Sequence, residues 1–136
     1  MAVTIADCVP VFLAHPSGAA ALLHSGWRGT AARIVEQGIA AFRRAGHAPR
    51  DLVMHLGPAI CGQCYEVSPD VFAELTGRRV AAPTPVDLRR LITQHARDAG
   101  LLRISTSARC TKCDNGIFFS HRAGDAGRQL AVMAAL

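Results

Sequence analysis

A cysteine and a histidine lie at one end of a predicted β-hairpin. The apolar segments 9–15 and 19–25 are joined by turn residues at 16–18, so they are expected to pair as antiparallel strands. Pairing about that turn makes the numbers of paired residues sum to about 34, which brings Cys8 and His24 together at the open end of the hairpin. A thiolate beside an imidazole forms either half of a zinc or copper site or a nucleophile with its base. The alternative is a buried cysteine that packs as a small apolar side chain beside a histidine bonded to the backbone.

Arg28 lies in the segment HSGWRGT (24–30), where two glycines allow the backbone to approach a ligand closely. Thr30 is predicted to be the N-cap of a helix. The first N–H groups of that helix, together with Arg28, would suit a phosphate or a carboxylate. The alternative is a surface arginine in a glycine-rich turn, stacked on Trp27.

His121 and Arg122 follow the short apolar segment 117–119 and precede the glycine-rich segment 124–128. Basic side chains next to a glycine-rich helix start again indicate contact with an anion or a polar ligand. An ordinary polar loop before a C-terminal helix would give the same pattern.

The other four cysteines form two CxxC pairs, Cys61 with Cys64 and Cys110 with Cys113. Two such pairs can make a structural zinc site with four cysteine ligands. The 45 residues between them exceed the roughly 15–20 of a compact zinc ribbon, so the spacing leaves their role open. A redox role is less favoured, because neither pair begins a helix in a thioredoxin-like unit.

Hydrophobic periodicity predicts an α/β fold (a mixed α+β arrangement) in which residues 1–136 form one domain. Besides the hairpin, strands are expected at 51–57, 101–107 and 117–119. Helices are expected after the N-caps Thr30, Ser68 and Asp87, with a last helix from Asp125 or Gly127 to Leu136.

The amino-acid composition bears on whether the chain binds nucleic acid or a membrane. Half of the 136 residues are hydrophobic, which is enough for one core, and the net charge of +5 comes almost entirely from arginine. The arginines occur mostly as pairs on predicted helix surfaces, without interleaved aromatics, which favours a solvated basic surface over nucleic-acid binding. No segment resembles a transmembrane span or a signal peptide, so the expected location is cytoplasmic, with the five cysteines as thiols or metal ligands.

Four segments in order resemble one family. They are ADCVPV, HSGWRGTAARIV, LGPAICGQCYEV and CTKCDNGIFFSHRAGDAGRQ, and they span nearly the whole chain. They are similar to the motifs of the laccase-domain or multicopper polyphenol oxidoreductase family, also called the YfiH or peptidoglycan editing factor family. Within these segments the departures are small: Ser25 replaces the usual alanine, His121 replaces a tyrosine, and Ala123 replaces a second arginine after Arg122.

The resemblance implies a zinc-dependent purine nucleoside phosphorylase. Such enzymes cleave adenosine, inosine, guanosine or methylthioadenosine with phosphate and also deaminate adenosine. The implied metal ligands in this chain are Cys8 and His24, with zinc as the metal and copper as the alternative. Arg28 is the implied phosphate contact with Arg122 second, and Asp7 would orient a ligand or act as a base. Oxidation of polyphenols and editing of peptidoglycan precursors rest on the family labels alone.

The resemblance also implies a CNF1/YfiH-like fold shortened at its N-terminus. The chain corresponds to roughly the C-terminal half of typical members, and the family's remaining metal histidine belongs to a motif that this sequence lacks. His15 or His121 would be the substitutes within the chain. Otherwise we expect association with a missing N-terminal half or with a second copy, or else a non-catalytic remnant that carries a four-cysteine zinc site.

Overall fold

The computed structural model describes residues Met1–Leu136 and confirms the mixed α/β architecture. The strands are β1 (Ala2–Ile5), β2 (Val9–Ala14), β3 (Ala20–Ser25), β4 (Val53–Leu56), β5 (Glu66–Val67), β6 (Thr84–Pro85), β7 (Arg103–Thr106) and β8 (Gln129–Val132). The helices are α1 (Trp27–Ala31), α2 (Ile34–Arg44), α3 (Pro69–Thr76) and α4 (Leu88–Asp98), with a short 3-10 turn at Pro49–Asp51.

A four-stranded sheet in the order β3-β2-β4-β7 forms the centre of the fold. Strand β2 is antiparallel to both β3 and β4, whereas β4 and β7 run parallel. Parallel neighbours end at the same edge of a sheet. The loops that follow β4 and β7 therefore meet at one edge.

One face of the sheet carries the core. Val11 and Leu13 of β2 are fully buried in a cluster that also contains Val35 and Ile39 of α2 and Ile92 of α4. The alternate residue Phe12 is only half-buried, and Val53 on β4 is 39% exposed, so the opposite face is more open. The strand period of two therefore places the side chains of Cys8, Pro10 and Phe12 on the face away from the helices.

Two sequence predictions near the C-terminus are wrong. Residues 129–132 form β8 instead of helix, because they pair antiparallel with β1, from Ala2↔Val132 to Ile5↔Gln129. Segment 117–119 is not a strand; it lies at the end of a run of turns, and the Phe119 N–H donates to the Gln129 side chain. The sequence analysis did not predict β1, and hydrogen bonding to β1 is what keeps residues 129–132 extended.

The cap predicted at Thr30 is also wrong. Thr30 lies buried within α1, and its hydroxyl donates to the carbonyl of Gly26 and bonds to Ser25. Helix α2 starts later, after Arg33 in a left-handed conformation. The other two caps are confirmed: the side chains of Ser68 and Asp87 accept hydrogen bonds from the N–H groups of Val71 and Arg90.

One arginine departs from the predicted solvated surface. Arg89 is 7% exposed, and its guanidinium donates to the carbonyls of Ser107 and Arg109 at 2.8 Å each. It therefore ties α4 to the loop after β7. None of the helices has the length and apolar character required to cross a bilayer, and the cytoplasmic location stays a prediction.

Candidate functional site

The hairpin register agrees with the sequence prediction. Val9 pairs with Ser25 and Pro10 pairs with His24, so that Cys8 stands opposite Gly26. Continuing the register by one residue makes Cys8, which immediately precedes β2, a diagonal neighbour of His24, a relationship that separates residues by about 7–8 Å. A Cβ atom at Gly26 would lie 2.8 Å from the Cys8 Sγ, so the glycine leaves the space that the thiol occupies.

The two side chains differ in exposure. Cys8 is partly buried, and this burial, together with the negative charge of Asp7, raises the pKa of its thiol, against a smaller lowering by Arg128. His24 is exposed on β3. The pair therefore offers a sheltered sulfur beside an imidazole that is open to ligands.

Asp7, which precedes the thiol, is the most connected residue of the site. It is buried and has a positive φ of 82°, a conformation that non-glycine residues rarely adopt. Its carboxylate accepts from the Thr111 hydroxyl at 2.7 Å and from the Arg122 N–H at 2.8 Å, and its carbonyl accepts from the Ile60 N–H. These bonds join three loops to the residue before Cys8, which makes Asp7 a positioning residue; its role as a base stays a prediction.

The two predicted anion-binding arginines have different surroundings. Arg28 is exposed, and its guanidinium lies over the Trp27 ring at 4.5 Å, the stacking that the sequence left open. Arg122 donates to the carbonyl of Glu66 at 2.7 Å and lies over the Tyr65 ring at 4.6 Å. Both cations are therefore held in place by an aromatic ring. His121 is exposed in the turn beside Arg122.

His15 is excluded as a third ligand for a metal on Cys8. It follows the other end of β2 and stacks on His47, with ring centroids 4.1 Å apart. At about 3.3 Å per residue the seven-residue separation from Cys8 is on the order of 20 Å. A catalytic zinc usually has three protein ligands, whereas Cys8 and His24 are two, so these two residues alone do not complete a catalytic zinc site.

The four remaining cysteines come together at the edge of the sheet. The sulfurs of Cys61, Cys64, Cys110 and Cys113 all lie within 4.8 Å of one another, close enough to hold a metal ion. Burial raises the pKa of Cys110, but hydrogen bonds from the backbone and thiols of Cys113 and Cys61 outweigh it and lower the pKa to about 7. Hydrogen bonds to Cys64 and Cys110 raise the pKa of Cys113 to about 12.

The comparisons with known proteins place the chain in a family. The family described as "Multi-copper polyphenol oxidoreductase laccase" matches residues 1–135. This chain belongs to that family. Among its laccase-family relatives, a purine nucleoside phosphorylase of Mycobacterium tuberculosis is 39% identical, over 94% of this chain and 54% of the relative. The purine nucleoside phosphorylase YlmD of Geobacillus stearothermophilus is 36% identical, over 96% of this chain and 54% of the relative.

Two solved structures are similar to this chain over nearly its whole length. The crystal structure of YlmD from Geobacillus stearothermophilus superposes with a TM-score of 0.92 at 34% identity, covering 98% of this chain and 56% of that one. YfiH of Bacillus licheniformis gives a TM-score of 0.87 at 30% identity, covering 95% and 55%. The chain thus spans about half the length of the relatives that it matches.

Sequence reasoning missed Thr111 and the structural role of Asp7. A buried hydroxyl–carboxylate bond between residues 104 positions apart leaves no local signal. The sequence left a site made of the two CxxC pairs open as an alternative, and the parallel pairing of β4 with β7 is what brings the pairs together.

Proposed function

We propose that this chain supplies the Cys8–His24 portion of a zinc-dependent purine nucleoside phosphorylase centre. The substrates are inosine, adenosine, guanosine or methylthioadenosine together with inorganic phosphate. The observation that carries the proposal is the hairpin register, which puts a sheltered thiol diagonal to an exposed imidazole on one face. Two relatives are named purine nucleoside phosphorylases, which supports the same activity.

His15 lies at the far end of the hairpin, and we assign His121, exposed beside Arg122, to the phosphate instead of the metal. We therefore propose that the third zinc donor comes from a polypeptide segment outside these 136 residues. Either a further segment that completes the family's length or a second copy of the chain would supply it. Support comes from the more open sheet face on which Cys8 and His24 lie, where Val53 is 39% exposed. A bound zinc ion with three protein ligands and one open position would polarise a substrate oxygen or lower the pKa of a water molecule.

The arginines give the site its preference for an anion. In phosphorolysis the phosphate attacks the ribose C1′ atom while the purine leaves, so the phosphate must be held beside the sugar. Arg28, exposed and stacked on Trp27, is the primary phosphate contact, and Arg122 with His121 is the second. A positioned guanidinium binds phosphate through two parallel hydrogen bonds, which lowers the entropic cost of bringing the anion in.

The direct test is an assay of the zinc-loaded protein with inosine. We expect hypoxanthine and ribose 1-phosphate in equal amounts, only when phosphate is present. Adenosine should also give inosine by deamination. Cys8→Ala and His24→Ala should lose turnover, whereas His15→Ala, at the opposite end of the same hairpin, should retain it. Arg28→Ala should raise the KM for phosphate, and Arg43→Ala on α2 serves as its matched control.

Absence of turnover in the zinc-loaded chain, both alone and with the segment encoded immediately upstream, would overturn the proposal. Oxygen uptake with a phenolic substrate by the copper-loaded protein, without phosphorolysis, would instead support oxidation of polyphenols.

A further inference from the structure

The cysteine cluster is built by the topology of the sheet. Cys61 and Cys64 lie in the loop after β4, and Cys110 and Cys113 lie in the loop after β7. These strands are parallel neighbours, so both loops leave the same edge. The parallel arrangement continues beyond the strands as a bridge between Ala59 and Cys110, where the Thr111 N–H donates to the Ala59 carbonyl at 3.2 Å.

The sulfur positions match a single tetrahedral ion. The four Sγ atoms lie within 4.8 Å of one another, and those of Cys64 and Cys113 are 3.5 Å apart. Four Zn–S bonds of about 2.3 Å in a tetrahedron place the sulfurs roughly 3.8 Å apart. A disulfide requires about 2.05 Å instead, and all five cysteines of the chain are free thiols.

The backbone around the cluster is arranged to stabilise thiolate ligands. The N–H groups of Cys61 and Cys113 point at the Cys110 Sγ, at 3.3 and 3.4 Å. Each CxxC pair is wrapped into a turn, and the N–H of Cys64 donates to the Cys61 carbonyl. N–H groups aimed at a sulfur favour its negatively charged form, which is the form that binds a metal.

We propose that Cys61, Cys64, Cys110 and Cys113 bind one Zn²⁺ ion as a structural centre with four thiolate ligands, separate from Cys8 and His24. Four thiolates leave no open coordination position, so this ion holds structure and takes no part in the reaction. Binding releases the thiol protons to solvent, and the centre carries two negative charges. Lys112, between Thr111 and Cys113, adds a positive charge beside the ligands, whereas Arg109 is paired with Asp114 at 3.5 Å.

The ion would also stabilise the proposed nucleoside site without contacting it. It locks the loop after β7 to the loop after β4, and Thr111 of the first loop donates to the buried Asp7 carboxylate beside Cys8. The Ile60 N–H of the second loop donates to the Asp7 carbonyl at 3.0 Å. The zinc centre thus joins two loops that both contact Asp7. Because Asp7 immediately precedes Cys8, the centre would help to fix the position of the Cys8 thiol.

The test measures metal content, so its outcome is independent of any nucleoside activity. After expression and dialysis into metal-free buffer, elemental analysis of the wild-type chain should show zinc, and Cys8→Ala and His24→Ala should each keep one ion per chain. Cys113→Ser should lose that ion. Cys113 is exposed, so this variant is the one best able to fold without the metal, which far-ultraviolet circular dichroism would verify. Substitution by Co²⁺ should give the visible absorption of a tetrahedral thiolate site in wild type and in Cys8→Ala, and none in Cys113→Ser.

Three results would overturn the proposal. One is a folded wild-type chain that contains no zinc. Another is zinc retained in Cys113→Ser but lost in Cys8→Ala. The third is iron, or a Cys64–Cys113 disulfide detected by mass spectrometry, in protein purified under reducing conditions.

Discussion

The Thr111 hydroxyl donates a 2.7 Å hydrogen bond to the Asp7 carboxylate, joining the residue after Cys110 to the residue before Cys8. This buried bond links the cysteine cluster to the proposed nucleoside site. Through this bond, a displacement of the loop that carries Cys110 and Thr111 would move Asp7 and with it the Cys8 thiol.

Replacing Asp7 with Asn should destabilise the fold. Both carboxylate oxygens accept hydrogen bonds, from the Thr111 hydroxyl and from the Arg122 N–H, whereas an amide offers only one acceptor oxygen. Its nitrogen would either face the Arg122 N–H or turn the Thr111 hydroxyl into an acceptor and leave the hydroxyl proton without its carboxylate. One buried donor left without a partner costs about 1–3 kcal/mol. Asn tolerates the left-handed backbone of residue 7, so the loss would report on the hydrogen bonds. Urea unfolding measures the change, and the exposed Asp70→Asn is the control; equal stability of the two variants would contradict the assignment.

Adding one methyl group at Gly26 should displace the Cys8 thiol. The new Cβ would stand 2.8 Å from the Sγ atom, inside van der Waals contact. We expect Gly26→Ala to lower the free energy of unfolding by about 1–3 kcal/mol. The matched control is Gly116→Ala, where a Cβ meets nothing within 4 Å, so its change should stay within about 0.5 kcal/mol. Thermal denaturation compares the two variants. Similar midpoints would contradict the prediction, because they would mean that Cys8 moves away from the new methyl group at little cost in stability.

Acid should destabilise the protein through His95. This residue of α4 is buried and its Nδ1 has no hydrogen-bond partner. Burial, with a contribution from Arg33, lowers its pKa, against opposing effects of Glu36 and Asp98. Because the folded pKa lies below the unfolded value, the stability contribution of His95 is present above the unfolded pKa and is lost as the pH falls through the folded pKa.

His95→Leu should therefore flatten the acid side of the stability curve. The difference from wild type should grow by up to about 1.4 kcal/mol for each pH unit between the unfolded and folded pKa values. Chemical denaturation from about pH 7 to pH 4 tests this, with His47→Leu as a control on a half-buried histidine in a loop. Parallel pH profiles for wild type and His95→Leu would show that His95 does not control the acid transition.

Removal of the cluster metal should lower thermal stability. An ion present at about a thousand times its dissociation constant stabilises the folded state by about 4 kcal/mol, which corresponds to a fall in Tm on the order of 10 °C when it is removed. A strong chelator should cause this fall in wild type and in Cys8→Ala. Cys113→Ser should start from the lower Tm and respond little, whereas a full chelator response in that variant would argue for another metal site.

Local signals made the central hairpin predictable. Residues 16–18 form a turn between two apolar runs, and a turn determines the register of the strands that it joins. Ser68 and Asp87 are predictable as caps because their side chains bond to N–H groups three residues away. Where the decisive partner is distant the prediction fails: residues 129–132 are extended because they pair with β1 at the other end of the chain.

For the candidate site too, the sequence determined some features and the tertiary structure decided the others. The chemical types of Cys8, His24, Arg28 and Arg122, and their order in the family motifs, were determined by the sequence alone. The predicted hairpin already places His15 beside the turn, far from Cys8, whereas tertiary structure decided that Thr111 reaches Asp7. Tertiary structure also decided that two CxxC pairs separated by 45 residues meet within 4.8 Å. The physical reason is that a parallel β4–β7 pair closes a long crossover, and sequence spacing carries no record of which strands become neighbours.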